Sequence, residues 1–530
     1  MINYVQIIHE RVAEARQRGC DDYEGPLSLA AHLFAISCCL LQDQRDPGLF
    51  NGESVSVIRS WEDTLNQLGA LGPETDVHTL YWMIIRILCA VEASLTERDG
   101  PILPDFTEIK QPLGGKVYHW LRPDSELARL RSDRFQDAPE SKRPPPPPHH
   151  PTDHLNTLGM FWESDPLLPA FQSPAKQERH TIPLLKDSGR SAAVNGLFKI
   201  ALCPLLGDFH PVFEIERSGR DFTTCRRAGI HNCVSMQEHL TGILEAASEG
   251  GVHLLVFPEL CVDKSMRDHI RNWLFGHNRK RLRDLRSVTL QGIIAGSFHV
   301  WRTANPNRPY NETVLLDQKG KNLMQHEKRG KFRIRRDQVN SAPQFFIHRP
   351  KTLQGEIEEK IQYGNHFQIL ETALGRLAVV ICADVLEADP YGYQPLIERL
   401  HPDLLFIISM SAETERFESF FRRMAEHGIG TLFVNAACIC DPQKSPILAA
   451  ANLALFEPAG APPSCLRWVW SKSAEDQAEF LVQRYDFGVH GDERTCWKCI
   501  GFTDATGVSW LGDRWGLVVN LGVQWQQSNP

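Results

Sequence analysis

"VHLLVFPEL", "RLAVVICADV" and "DLLFIISMS" share one texture: a short, nearly unbroken apolar run that ends in polar or ionisable residues. A strand with one wet face alternates apolar and polar residues. Unbroken runs of this length instead predict strands covered on both faces. Helical stretches lie between such runs. "SMQEHLTGILEAASEGG" precedes the first, "YGYQPLIERLH" separates the second and third, and "ERFESFFRRMAEHGIG" follows the third and leads into "TLFVNAACI". "LFKIALCPLL", "QGIIAGSFHVW" and "NETVLLDQKGK" read as further strands. From Leu197 onward the alternation predicts an α/β domain, with a mixed sheet or two sheets under helical cover. Beyond about 455 it gives way to short strands and many tryptophans.

The first part of the chain reads differently. In "YVQIIHERVAEARQRG", Val5, Ile8, Val12 and Ala15 fall on one helical face and Gly19 marks the end. "ESVSVIRSWEDTLNQLGAL" and "DVHTLYWMIIRILCAVEASL" repeat the pattern. Residues 1–135 are therefore expected to form a separate all-helical domain with a regulatory or interaction role. "SKRPPPPPHH" follows, and successive prolines favour extended polyproline II. The expected linker runs from 136 to 192, with an apolar piece docked at "LGMFWESDPLLPAF". A domain over 193–487 and a C-terminal extension over 488–530 complete the division.

The 530 residues suggest two to four domains, and 42% hydrophobic with 23% charged residues is ordinary globular composition. A net charge of −8 argues against coating nucleic acid. The 14 cysteines are irregularly spaced and follow no apolar leader, so a reducing cytoplasm is expected. The apolar N-terminal stretches are too short for a membrane span or contain Arg86.

Three ionisable residues stand just beyond apolar strands: Glu259 in "LLVFPEL", Lys328 in "MQHEKRGKF" and Cys382 in "VVICADV". Singly these are ordinary: a loop glutamate, a lysine in a charge-rich turn, a packed thiol. In this order and texture they resemble the nitrilase superfamily of carbon–nitrogen hydrolases, whose members carry a Glu–Lys–Cys triad at strand ends. The proline before Glu259, the acidic residue two after Cys382, the strand and turn "NETVLLDQKGK", the run "KIQYGNHFQILETALGRLAVVIC" and the later "RRMAEHGIGTLFVNAAC" carry the likeness, over roughly 197–487. Departures are His326 where the family usually has an aromatic residue, Ala383 after the cysteine, and Ala388 and Asp389 in place of a proline and an acidic residue.

The resemblance implies a four-layer αββα sandwich and a cysteine-dependent hydrolase acting on a small amide, carbamoyl or nitrile substrate. Glu259 would be the base, Cys382 the nucleophile, and Lys328 with the Ala383 backbone N–H the oxyanion donors. A second glutamate is also implied. Glu359 is favoured because Glu–Lys precedes the loop as in relatives; Glu356 and Glu358 are the alternatives. His326, Asp384, Ser409 and Met410 are candidates for substrate contact. No metal and no organic cofactor is required. A homo-oligomer is expected through "ERFESFFRRMAEHG", where Phe417, Phe420, Phe421 and Met424 exceed one core-facing stripe. A protein partner would bind the N-terminal helices. The competing reading is a sensor or interaction protein that uses this fold as a binding and oligomerisation module.

"CWKC", Cys496 to Cys499, has metal-ligand spacing, but only His490 lies nearby and no second pair does. His149 and His150 beside the prolines read as linker. "KFRIRRDQ" brings Lys331, Arg333, Arg335 and Arg336 together: a solvated loop beside the site, or a binder of an anionic substrate or nucleic acid.

Overall fold

The computed structural model describes residues 4–18 and 61–73, most of 79–88, part of 29–37, the strands at 107–110, 116–121, 158–164 and 176–181, most of 198–452, and four strands between 464 and 521. Contacts divide the chain into two units, residues 1–174 with 399–401, and 175–398 with 402–530.

In the first unit, helix α1 (Tyr4–Arg18) buries Val5, Ile8 and Val12, the face that periodicity picks out. Helix α2 (Trp61–Gly69) buries Leu65 and Leu68, and Arg16 of α1 donates to the Leu65 carbonyl and to Asn66. The expectation of an all-helical unit is corrected here. Strands β1 (Thr107–Lys110), β2 (Lys116–Leu121) and β3 (Leu158–Ser164) pair as an antiparallel sheet. "KVYHWL" carries Val117, Tyr118 and Trp120, residue types that suit a strand. The apolar piece read as docked within the linker is β3. The proline run lies outside the described residues.

The second unit is built on two large sheets. One has the order β11-β10-β9-β8-β5-β22-β21, with β5 (Phe198–Leu202), β8 (Leu254–Phe257), β9 (Gly292–Arg302), β10 (Asn305–Asp317), β11 (Asn322–Glu327), β21 (Val508–Leu511) and β22 (Gly516–Leu521). The other has the order β20-β19-β18-β17-β16-β15-β14-β4, with β4 (Lys176–Thr181), β14 (His366–Glu371), β15 (Arg376–Ile381), β16 (Leu404–Ser409), β17 (Gly430–Asn435), β18 (Ile447–Asn452), β19 (Ser464–Lys472) and β20 (Ala478–Asp486). Two segments outside 193–487 thus join these sheets: β4 pairs with β14, and β22 pairs with β5.

Helix α3 (Cys233–Glu249) touches β21, and α4 (Lys264–Arg283) touches α3 and β9. Helix α5 (Glu415–Glu426) packs on β17, while β5 of one sheet meets β17 of the other. Both faces of the central strands are therefore covered, and every residue of β8, β15, β16 and β17 is buried. A small sheet of β6 (Val212–Ile215), β7 (Asp221–Cys225), β12 (Arg333–Arg335) and β13 (Glu356–Glu359) completes the unit. Among the described residues no helix is long and apolar enough to cross a membrane.

The parallel pairings fix where chemistry can gather. Strands β5, β8 and β9 run in one direction, and β11 runs with them because β10 is antiparallel to both neighbours. Strands β15, β16 and β17 are parallel in the other sheet. The Glu259 N–H donates to the Ser409 carbonyl at 3.4 Å, and the Met410 N–H donates to Glu259 Oε2 at 2.9 Å. The carboxyl ends of the two strand sets are thereby joined.

Helix α5 corrects a second expectation. Phe417, Phe420, Phe421 and Met424 are all buried within the single chain. The rings of Phe417 and Phe421 stand 4.8 and 5.5 Å from that of Phe433 on β17. The apolar surplus read as an oligomer contact is used inside the fold. Phe417→Ala should destabilise the protein by about 3–5 kcal/mol, as a truncated core aromatic does, measured by urea unfolding. A change under about 1 kcal/mol would mean this packing is not part of the core.

Candidate active site

Four strand ends deliver the central groups. Glu259 follows β8, Lys328 follows β11, Glu359 closes β13, and Cys382 follows β15 as the first residue of a 3-10 turn, Cys382–Val385. All four are buried. Lys328 Nζ donates to Glu259 Oε1 at 2.6 Å and to Glu359 Oε2 at 2.7 Å. One ammonium thus bridges two carboxylates. The structure therefore brings Glu359, rather than Glu356 or Glu358, to the lysine; Glu358 instead holds Lys331 at 2.5 Å and Arg333 at 3.3 Å.

Two residues of this network were not picked out from sequence. Asn311 Nδ2 donates to Glu259 Oε1 and to Glu359 Oε1, each at 2.9 Å. His299, its cross-strand partner on β9, bonds Glu359 Oε1 through Nε2 at 2.9 Å. The Thr224 N–H donates to His299 Nδ1 at 2.7 Å, so the proton between His299 and Glu359 sits on Nε2. The available signal was a polar run, "NET", directly before the apolar "VLL" of β10, opposite a histidine in an apolar strand.

The two carboxylates are driven apart. Burial favours the neutral form of Glu359, but Lys328 and the His299 hydrogen bond outweigh it and hold it well below the usual range. Burial raises Glu259 above its ordinary value, Lys328 opposes the rise and the Glu359 charge adds to it. Burial alone would lower Lys328, yet the fields of Glu259 and Glu359 win and raise it. Glu359 is thus the fixed anion that keeps Lys328 charged, and Glu259 is the group able to take a proton.

Cys382 adopts φ +45°, in the left-handed region that disfavours non-glycine residues. Burial pushes its thiol up to about 12 and the Glu259 charge adds to the rise; Lys328, the Ser409 hydroxyl and the Met410 N–H oppose it. The Met410 amide therefore neighbours both the Cys382 thiol and the Glu259 carboxylate. A thiol at this value needs a base at the moment of attack.

Asp384 fixes the turn. Its Oδ1 accepts from the Arg329 and Gly330 N–H groups at 2.7 and 2.8 Å, and its Oδ2 accepts from the Ile381 N–H at 2.9 Å. His326 Nε2 lies 2.9 Å from Oδ2. Both side chains are buried and engaged with each other and the backbone, so the expectation of substrate contact at His326 and Asp384 is corrected to support of the lysine loop on the cysteine turn. Gly330 meets that turn so closely that a Cβ would stand 2.6 Å from the Ala383 carbonyl carbon. Ser409 and Met410 lie at the thiol.

A cavity of about 330 Å³ opens on Cys382 and Ala383. Lys331, Arg333 and Arg335 of the basic stretch line it, and Arg336 lies outside the described residues. Cys496, Cys499, His490, His149 and His150 also lie outside them. Among the described residues no cluster of three His, Cys, Asp or Glu side chains is arranged to hold a metal ion.

Residues 234–387 match the carbon–nitrogen hydrolase family model. Over these residues the chain is similar to the carbon–nitrogen hydrolases. No curated protein matches it. Solved structures similar to it include an amidase from Nesterenkonia sp., 15% identical, covering 63% of this chain and 94% of that one with a TM-score of 0.27. The C. elegans NitFhit protein is 14% identical, covering 55% and 61% with a TM-score of 0.30. At those values neither likeness bears on activity.

The Glu359 pKa sets a pH prediction. A carboxylate held below its unfolded value contributes stability that is present above about pH 4.3 and lost as pH falls from there toward the folded value. Glu359→Gln should flatten the acid limb of the urea-unfolding profile below about pH 5 and lower stability at neutral pH by about 3 kcal/mol, as when one partner of a buried pair is removed. An unchanged acid limb would contradict the assignment of Glu359 as the fixed anion.

Proposed function

We propose that the protein is a cysteine-dependent carbon–nitrogen hydrolase of the amidase, carbamoylase or nitrilase type, working through a thioester on Cys382. The observation that supports this best is the buried Lys328 shared by Glu259 and Glu359 beside a thiol that opens on a cavity. Glu259 takes the thiol proton as the sulfur attacks the carbonyl, carbamoyl or nitrile carbon. Charge developing on the substrate heteroatom is met by Lys328 and the Ala383 N–H. Glu259 then passes the proton to the leaving nitrogen, the C–N bond breaks and the acyl group stays on sulfur; for a nitrile, the thioimidate formed first takes up water. Water activated by Glu259 releases the acid and restores the thiol. His299 and Asn311 act through the two glutamates as positioning residues.

The layering of two sheets between helices supports the four-layer αββα reading of the same domain. The competing reading, a binding module on this fold, gains nothing from a buried ion network, because breaking such a network is costly and a scaffold has no use for it.

Ammonia release from a panel of primary amides, ureides and nitriles tests the proposal. Cys382→Ala should abolish turnover, and Glu259→Gln should reduce it by about a hundredfold or more. The acid limb of kcat/KM should have its midpoint above about 4.3, the ordinary glutamate value, because activity is lost as Glu259 is protonated and its pKa is raised. Turnover that survives Cys382→Ala would overturn the mechanism.

A further inference from the structure

We propose that Cys261 and Cys438 are a modification site: a hydroperoxide joins them in a disulfide that displaces Glu259, and a dithiol reverses the change. The consequence for turnover rests on the hydrolase reading above; the disulfide does not. Three thiols that the mechanism does not use gather at the carboxyl ends of strands. Cys203 follows β5, Cys261 follows β8 two residues after Glu259, and Cys438 lies in the 3-10 turn Ala437–Ile439 after β17. All three are free. Cys203 and Cys261 are buried in one core cluster, and the partly exposed Cys438 packs against it. The Cys261 and Cys438 side chains hydrogen-bond each other. The Ala437 N–H donates to the Pro204 carbonyl at 3.0 Å, which holds the Cys438 turn on the end of β5.

The two sulfurs have different parts to play. The Cys438 hydrogen bond, burial and the Glu259 charge all push the Cys261 thiol well above its ordinary value, so it is a poor first target. Cys438 has the exposed side, and oxidation follows exposure. Its sulfur attacks the peroxide O–O bond, becoming a sulfenic acid as the other oxygen leaves in an alcohol or water. The Cys261 sulfur then attacks that sulfur, the S–S bond forms, and the hydroxyl group departs with the Cys261 proton as water. Two thiols are oxidised and one peroxide is reduced. Closing the bond draws the two turns together, and the turn that carries Glu259 has little slack. Leu260 stands at φ +55° with its N–H on Ser297 Oγ at 3.2 Å, and Gly296 is so near that a Cβ would lie 2.5 Å from the Pro258 carbonyl oxygen. The N–H groups of Glu259 and Ala436 share the Ser409 carbonyl, at 3.4 and 2.9 Å. A pull between Cys261 and Cys438 therefore reaches Glu259, whose Oε1 accepts from Lys328 at 2.6 Å.

Disulfide mapping in the full chain tests the site without turnover. The Cys382→Ala variant, whose nucleophile cannot be oxidised, is treated with hydrogen peroxide, the remaining thiols are blocked, and cross-linked peptides are fragmented by mass spectrometry. A Cys261–Cys438 cross-link should form, disappear with dithiothreitol and be absent once Cys438→Ser is added. No cross-link, or one that joins Cys261 to Cys203 or to Cys440 (which lies outside the described residues), would overturn the proposal. The wild type and Cys438→Ser, equally active beforehand, are then given the same peroxide. Turnover should fall several-fold more in the wild type, the rate at which iodoacetamide alkylates Cys382 should shift several-fold in it alone, and dithiothreitol should restore both. An equal loss in the two proteins, or a cross-link that leaves both readings unchanged, would overturn the proposal. If neither protein hydrolyses any amide before treatment, the hydrolase reading fails, and the cross-link and the alkylation rate still decide this one.

Discussion

A fully buried ammonium is among the most costly groups a fold can hold, and Lys328 is tolerable here only because two carboxylates lie within 2.7 Å of it. Much else in the domain serves that arrangement. Asn311 ties the two glutamates together, His299 fixes Glu359, and the Phe332 N–H donates to the remaining oxygen of Glu359 at 3.0 Å. With one cation and two anions in a dry site, one carboxylate must be the easier to protonate. The hydrogen bonds decide which, because Glu359 receives more of them from groups other than the lysine. Glu259 is thereby left the easier of the two to protonate.

Strand direction supplies the meeting point. The carboxyl ends of β8, β11, β15 and β16 bring the Glu259 carboxylate, the Lys328 ammonium, the Cys382 thiol and the Met410 N–H to one edge, although these residues are far apart in sequence. The loops there are held by backbone contacts that leave little slack. Asp384 accepts from Arg329, Gly330 and Ile381, and Gly330 has no room for a side chain against Ala383. The strained φ of Cys382 is held by this surrounding structure. A second polar network supports the lysine-bearing strands: Arg267 and Arg302 both bind Glu312, at 2.7 and 2.5 Å, and Arg302 also binds Glu327.

Much of this was legible in the sequence because strand burial and strand-end chemistry leave local marks. Unbroken apolar runs announced β8, β15 and β16, and the residues just beyond them announced Glu259 and Cys382. Glu359 was ambiguous because three glutamates lie within four positions in "EIEE", and only strand pleating decides which faces inward. His299 and Asn311 were missed because their role depends on cross-strand pairing, which a single sequence does not display. His326 and Asp384 were misjudged because proximity to the lysine and cysteine in sequence suggests contact with substrate, whereas the fold turns both inward to brace a loop. The same limit applied to α5, whose phenylalanines looked surplus until β17 was placed beneath them.

The central claim is that the buried ion network primes Cys382 to become acylated. Rapid acid quenching of the enzyme with substrate, followed by peptide mass spectrometry, tests it most directly. The account predicts an acyl mass on the Cys382 peptide within one turnover in the wild type, and its loss in Glu259→Gln with the fold intact. An acyl group on any other residue, or acylation of Cys382 at an equal rate without Glu259, would contradict it.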